Sequence, residues 1–326
     1  MADYLLEVND LKTYFYTFKG VVKAVDGVNF KMRRGGILGV VGESGCGKSI
    51  TGFSILKMID PPGKFVSGQI LFNGEDILQK SEEDMSKIRG NKISMIFQDP
   101  MTSLNPLYTI GQQIMETLAI HGNMTEKQRR DKAVELLKVV GIPSPESRLN
   151  DYPHQFSGGM RQRVIIAISL ATSPELIIAD EPTTALDVTV QSQIIHQLEQ
   201  LVRKNNSSLI LITHDVALVS QIAENIIVMY CGKVVESGTM EDIIYRPTHP
   251  YTKGLLNSIP RMDDSKDRLE PIKGMVPSPF DLPVGCKFAP RCECCSSKCL
   301  QTEPEAVEIA PGHRVCCHLF DEKGDC

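Results

Sequence analysis

Eight consecutive residues, Gly42-Glu43-Ser44-Gly45-Cys46-Gly47-Lys48-Ser49, fit the pattern G-x-x-x-x-G-K-[ST]. Glycines at this spacing let backbone N–H groups close around phosphate oxygens, and a helix N-terminus directly behind them adds positive potential. A lysine in the seventh place reaches β- and γ-phosphates, and the hydroxyl after it can enter a Mg²⁺ shell. Lys48 and Ser49 hold those places, and Ile50 continues the helix start. The apolar run Ile37 to Val41 in front reads as a buried strand, and Ile50 to Ile59 behind suits a helix. A glycine-rich turn could match the pattern by chance, but strand and helix flanks argue for a bound nucleotide.

A second signal lies downstream. Leu176-Ile177-Ile178-Ala179 is an apolar run ending in Asp180, with Glu181 next. In a phosphate-loop sheet, one such carboxylate holds the Mg²⁺ shell and the next polarises the attacking water. Exposed Asp-Glu pairs also end strands without doing chemistry. Phe156-Ser157-Gly158-Gly159-Met160-Arg161-Gln162 precedes that run. Ser157 suits a helix N-cap, and Gly158 and Gly159 bare the amides of a helix start, a surface for a phosphate brought by a second subunit. The plainer reading is a capped helix. Gln98 follows Ile93 to Phe97 and His214 follows Leu209 to Thr213. Both then sit at the carboxyl edge of a sheet, where open α/β folds bind ligands. Thr184-Ala185-Leu186-Asp187 reads as a turn and helix cap.

The elements that must position these groups follow from periodicity. Residues 4 to 30 alternate apolar and polar and read as an antiparallel edge. Gln69 to Phe72 and Lys92 to Phe97 are short strands, and Thr109 to Val140 is helical, with a capping box at Thr125-Glu126-Lys127-Gln128. Strands Leu176 to Ala179 and Leu209 to Thr213 alternate with helices Val188 to Lys204 and Val216 to Glu224. Ile226 to Met229 opens a hairpin turning at Cys231-Gly232-Lys233, and a short helix at Met240 to Tyr245 follows. This alternation predicts an α/β core with a mainly parallel sheet, interrupted by a helical subdomain at about 100–160. Composition shifts beyond Pro247, which predicts a main domain over 1–247 and a small appendage over 248–326.

With 326 residues, 42% hydrophobic and 23% charged, the chain is long enough for a sizeable core of ordinary composition. A net charge of −5 gives no sign of a nucleic-acid partner. The first residues lack the basic and apolar regions of a signal peptide, and no apolar run approaches the ~20 residues of a membrane span. Eight of the ten cysteines fall at 286, 292, 294, 295, 299, 316, 317 and 326. Beside a nucleotide-binding domain expected in a reducing compartment, such clustering favours metal over disulfides. Cys46 and Cys231 read as small fillers.

The order of these motifs resembles the ATP-binding subunit of an ABC transporter across about residues 5–245. Walker A lies at 42–49, the Q-loop at Gln98, the signature at 157–161, Walker B at 176–181, the D-loop at 184–187 and the His-loop at His214. The resemblance implies two subunits closing head to tail around two ATP molecules. Gly42 to Ile50 would cradle the phosphates, with Ser49, Gln98 and Asp180 around Mg²⁺. Glu181 would act as general base, and His214 would stabilise the transferred phosphoryl group. Ser157, Gly158, Gly159 and Asp187 would serve the site from across the dimer. An aromatic near the N-terminus would stack on adenine; Phe15, placed after the first strand, fits best, with Tyr14 and Tyr16 as rivals. Two motifs depart from the family pattern: the signature reads Phe-Ser-Gly-Gly-Met for Leu-Ser-Gly-Gly-Gln, and Walker A ends Lys-Ser-Ile for Lys-Ser-Thr. The serine and both glycines of the signature and the Ser49 hydroxyl are kept.

Phe97-Gln98-Asp99-Pro100-Met101-Thr102-Ser103-Leu104-Asn105-Pro106, Tyr152-Pro153-His154-Gln155 and His249-Pro250-Tyr251-Thr252-Lys253-Gly254-Leu255-Leu256 resemble the oligopeptide, dipeptide and nickel importer subfamily. So does the tail, Gly285-Cys286-Lys287-Phe288-Ala289-Pro290-Arg291-Cys292 with Cys299 and Cys317. The resemblance implies a 4Fe–4S cluster on Cys286, Cys292, Cys299 and Cys317, which needs four thiolates. A four-cysteine zinc site has the same ligand count but usually two-residue knuckles, and free thiols are a third reading. The implied partners are a second ATPase subunit (a paralogue, or a copy of this chain), two membrane permease subunits and an extracytoplasmic solute-binding protein, at the cytoplasmic face of the membrane. The implied function is ATP-driven import of di- and oligopeptides. The alternatives are nickel or another solute, and a redox-regulated ABC ATPase outside transport. Because the phosphoryl-transfer motifs are complete by His214, the tail is expected to leave nucleotide binding to residues 1–245.

Overall fold

The computed structural model describes residues 4–184, 187–258 and 272–321; Ala185 and Leu186 of the expected D-loop, and Cys326, lie outside them. Along the described chain run strands β1 (Tyr4–Thr17), β2 (Gly20–Arg33), β3 (Ile37–Val41), β4 (Gly63–Phe72), β5 (Glu75–Asp76), β6 (Ile93–Ile96), β7 (Leu176–Asp180), β8 (Ser208–Thr213), β9 (Asn225–Tyr230), β10 (Lys233–Thr239), β11 (Ala306–Ala310) and β12 (His313–Cys316). Two compact units divide the chain, one of residues 1–32, 38–78 and 212–326, the other of residues 33–37 and 79–211.

In the first unit, β2-β1-β4-β5 form the expected antiparallel edge, with Leu6 opposite Phe72 and Val8 opposite Ile70. The alternating pattern of residues 4 to 30 divides at Phe18-Lys19, between β1 and β2. A second strand order, β11-β12-β10-β9-β3, is parallel only between β3 and β9. Every residue of β3 is buried, as the unbroken apolar run demands of a strand covered on both faces.

The composition shift at Pro247 predicts an appendage beginning at 248, but the packing does not divide there. Residues 212–326 belong to one compact unit with residues 1–32 and 38–78. Glu236 on β10 gives the reason. Its side chain is fully buried, and its carboxylate accepts from the backbone N–H of Thr248 at 2.8 Å and of His249 at 2.9 Å. His313 Nε2 lies 2.8 Å from it. A buried carboxylate needs several donors, and these three come from beyond residue 247. The tail hairpin also extends the sheet, Glu236 lying opposite Val315 and Ser237 opposite Arg314.

In the second unit the strand order is β8-β7-β6, with β6 and β7 parallel and Ile96 opposite Ala179. The predicted helical stretch 109–140 is two helices, Ile110–His121 and Glu126–Val139. Thr109 with Gln112, and Thr125 with Gln128, form reciprocal capping boxes that satisfy the first amides of each. Ile110, Ile114 and Leu118 bury one face of the first; Ala133, Leu136 and Leu137 bury the second. Helix Gly158–Leu170 follows, buried along Val164, Ile165, Ile166, Ala167 and Leu170.

Candidate nucleotide site

The loop after β3 folds as its glycines require. Gly42 and Gly47 take φ of 153° and 102°. A Cβ on Gly42 would fall 2.2 Å from Met229 O, and one on Gly47 2.2 Å from Ala24 O, so backbone approaches too closely for a side chain. Gly47 caps helix Lys48–Ile55, whose first amides face the loop. Lys48 is 4% exposed, and its ammonium donates to Gly42 O at 2.8 Å and Glu43 O at 3.0 Å. Ser44 and Gly45 are exposed, Ser49 and Ile50 half-buried. Cys46 is buried against Lys48, and burial pushes its thiol pKa up, consistent with a filler.

Glu43 is held by residues that sequence reasoning did not assign to this site. Its N–H donates to Tyr251 Oη at 2.9 Å. Its carboxylate receives both arms of Arg291, Nη1 at 2.6 Å and Nη2 at 3.0 Å. The Arg291 side chain is only 4% exposed, with its guanidinium 5.8 Å from the Tyr230 ring and 5.9 Å from the Phe288 ring. Tyr230, Tyr251 and Phe288 pack with centroids 4.7 to 5.4 Å apart, a buried aromatic cluster that fixes the arginine. Tyr251 and Arg291, both beyond residue 245, contact the loop directly. Both lie in segments that the sequence marks only by their likeness to the importer subfamily.

Phe15 is half-buried and lies inside β1, which continues to Thr17, and not after the strand as its alignment suggested. Tyr14 Oη donates to Asp26 Oδ1 at 2.5 Å, and Tyr16 is 46% exposed. His214, exposed, follows β8 as expected, and the next residue, Asp215, caps helix Val216–Ser220.

In the second unit Gln98 and Glu181 come together. Gln98 Nε2 donates to Glu181 Oε2 at 3.2 Å, and Thr184 Oγ1 donates to the same oxygen at 2.8 Å. Glu181 takes φ 45°, a left-handed backbone that a non-glycine residue adopts at a cost of about 1 kcal/mol or more. Asp180 beside it is 3% exposed at the end of a fully buried strand. Ser157 caps helix Gly158–Leu170 as predicted, with Met160 N–H 3.4 Å from its Oγ. Ser157 and Gly158 are exposed and Gly159 half-buried, so the helix start is open. Asp187 caps helix Val188–Lys204 through Val190 N–H at 3.0 Å.

Among the four tail cysteines, Cys286 N–H donates to Cys299 O at 2.8 Å. Burial pushes the Cys292 and Cys317 thiols up to about 11. Cys294 and Cys295 are exposed, and Cys316 is half-buried. Among the described residues, no three His, Cys, Asp or Glu side chains are arranged to hold a metal ion. Lys287 and Lys233 pair with Glu303 at 2.5 and 2.7 Å, and Lys233 with Asp26 at 3.5 Å, which ties the cysteine segment to β10 and β2.

Comparison with known proteins agrees with this geometry. The ABC transporter family profile matches residues 25–184, and the profile of the oligopeptide/dipeptide transporter C-terminal region matches residues 235–299. The oligopeptide transport ATP-binding protein AppD of Bacillus subtilis is 52% identical over 98% of both chains. The dipeptide transport ATP-binding protein DppD of Haemophilus influenzae is 49% identical over 98% of this chain and 97% of its own, and that of Escherichia coli is 47% identical over 98% of both. Among solved structures, the cassette MJ0796 in a dimeric post-hydrolysis state bound to ADP and Pi superposes with a TM-score of 0.65 at 28% identity, over 72% of this chain and 98% of that one. CbiO1 of Clostridium perfringens does so at 0.65 and 29%, over 75% and 92%. The chain is an ABC ATPase with a P-loop α/β fold, and it belongs to the ABC transporter family of ATP-binding proteins, in the branch that carries the oligopeptide/dipeptide transporter C-terminal region.

Proposed function

We propose that this chain is the ATP-hydrolysing subunit of an importer of di- and oligopeptides. The observation that carries the reading is full-length similarity: relatives named for oligopeptide and dipeptide transport match 98% of the chain at 47–52% identity. Two such ATPases close on each other, dock on two permease subunits at the cytoplasmic face of the membrane, and serve an extracytoplasmic binding protein. Among the described residues no helix is long and apolar enough to cross a membrane, so the path for solute belongs to partner chains. The related cassette solved as a dimer with ADP and Pi supports the paired arrangement.

In this reading Lys48 and the amides of residues 42–50 take the phosphates. Ser49, Gln98 and Asp180 surround Mg²⁺, and Phe15 stacks on adenine. Glu181 takes the proton of the attacking water while Gln98 and Thr184 orient its carboxylate. His214 stabilises the transferred phosphoryl group. The open helix start at Ser157, Gly158 and Gly159, with Asp187 nearby in sequence, serves the partner's ATP. Uptake of labelled dipeptide, oligopeptide and nickel by cells with and without the chain tests the solute; nickel uptake alone would reassign it.

We also propose a 4Fe–4S cluster on Cys286, Cys292, Cys299 and Cys317. The spacing of these four cysteines and the likeness of the tail to that subfamily support it, and a bound cluster would displace their thiol protons. When bound, the cluster would supply a covalent staple and a redox centre. Anaerobic purification followed by iron, sulfide and zinc analysis tests it. About four iron and four sulfide per chain are expected; zinc without iron would replace the cluster with a structural zinc site.

A further inference from the structure

We propose that Arg291 is a positioning residue for ATP binding, which anchors and neutralises Glu43 so that the C-terminal cysteine segment forms a working wall of the phosphate loop. The inference rests on residues 42–49 being that loop.

Glu43 is the only carboxylate in the eight-residue loop, and a polyphosphate brings several negative charges beside it. Unpaired, such a carboxylate repels the ligand. Arg291 covers it with a two-pronged pair, which fixes orientation as well as charge. The arginine is buried between two aromatic rings, and its Nε and Nη2 also donate to Lys273 O at 3.2 Å and Ile272 O at 3.4 Å. It is thus held in place from the tail side.

Glu43 passes this constraint on. Its N–H goes to Tyr251 Oη, its carboxylate to Arg291, and its carbonyl oxygen to Lys48 Nζ. Releasing Glu43 therefore frees one of the two carbonyls that hold the Lys48 ammonium. Arg291 itself ends a single turn, Ala289–Arg291, in which Arg291 N–H donates to Phe288 O at 2.9 Å and Cys292 N–H to Ala289 O at 3.2 Å. Cys286 and Cys292 bound that turn, so whatever holds these thiols also sets the arginine against the loop.

Titration of the full-length chain with mant-ATP tests this, using Arg291→Ala, Arg291→Lys and the double variant Arg291→Ala with Glu43→Gln. Loss of the arginine should weaken binding about tenfold, and lysine, which cannot fork, about threefold. Removing the Glu43 charge in the double variant should recover most of the loss. Wild-type affinity in Arg291→Ala would overturn the proposal. So would a double variant as weak as the single one, because the arginine would then act only through folding of the tail. Circular dichroism monitors that folding, and if the alanine variant is unfolded, Arg291→Lys with and without Glu43→Gln completes the same cycle. Failure of the wild-type chain to bind mant-ATP would instead remove the phosphate-loop reading itself.

Discussion

Arg291 and Glu43, 248 positions apart in sequence, form a two-pronged ion pair at 2.6 and 3.0 Å. The pair joins the cysteine segment to the loop that carries Lys48.

Lys48→Ala should lower ATP affinity itself, since the point charge proposed to meet the β- and γ-phosphates is lost. The buried ammonium also bridges Gly42 O and Glu43 O, so the loop loses an internal tie. A drop of about tenfold or more in mant-ATP affinity is expected; an unchanged Kd would take the phosphate role from this loop.

Glu181→Gln keeps the shape and the neighbours of the carboxylate but removes the proposed base. Hydrolysis should fall by about 10²–10⁴-fold while ATP remains bound. Phosphate release and retained nucleotide measure the two quantities separately. Normal turnover would exclude Glu181 as the base.

Gly47→Ala forces a side chain onto φ 102° and against Ala24 O. Urea unfolding should report a loss of about 1–3 kcal/mol. A stability equal to wild type would mean that the loop relaxes without cost.

His249 is 1% exposed, and burial pulls its pKa down from 6.5 to about 4. Its Nδ1 accepts from Tyr251 N–H at 3.0 Å and caps the helix that carries Tyr251. A depressed folded-state value stabilises the protein above pH 6.5, and that stability is lost as pH falls from 6.5 towards 4, up to about 3 kcal/mol. His249→Asn can keep the cap without titrating. Its stability should change less than wild type between pH 7 and 4.5 in denaturant titrations; parallel curves would clear His249 of this role.

The local signals in the sequence were strong where chemistry and capping coincide. Ser157, Thr125 and Asp187 announce helix starts because each must satisfy a free amide within three residues. The loop at 42–49 is legible for the same reason, its glycines being steric necessities. Gly122-Asn123-Met124 breaks the helical stretch that periodicity ran together. The place of Phe15 was misread since residues 14–16 are three aromatics in a row, where alternation gives no strand end. The union of tail and core was invisible for a different reason. Glu236 and Glu43 carry no local mark of being buried or paired, and their partners lie 12 to 248 residues away.

The central claim is that ATP hydrolysis by this chain drives peptide import. It is tested most directly by uptake of a labelled dipeptide and a labelled oligopeptide in cells whose only copy of the gene encodes either the wild-type chain or Glu181→Gln. Uptake restored by the wild-type chain and abolished by Glu181→Gln, at equal protein levels, is the predicted result. Equal peptide uptake with the two chains would contradict it.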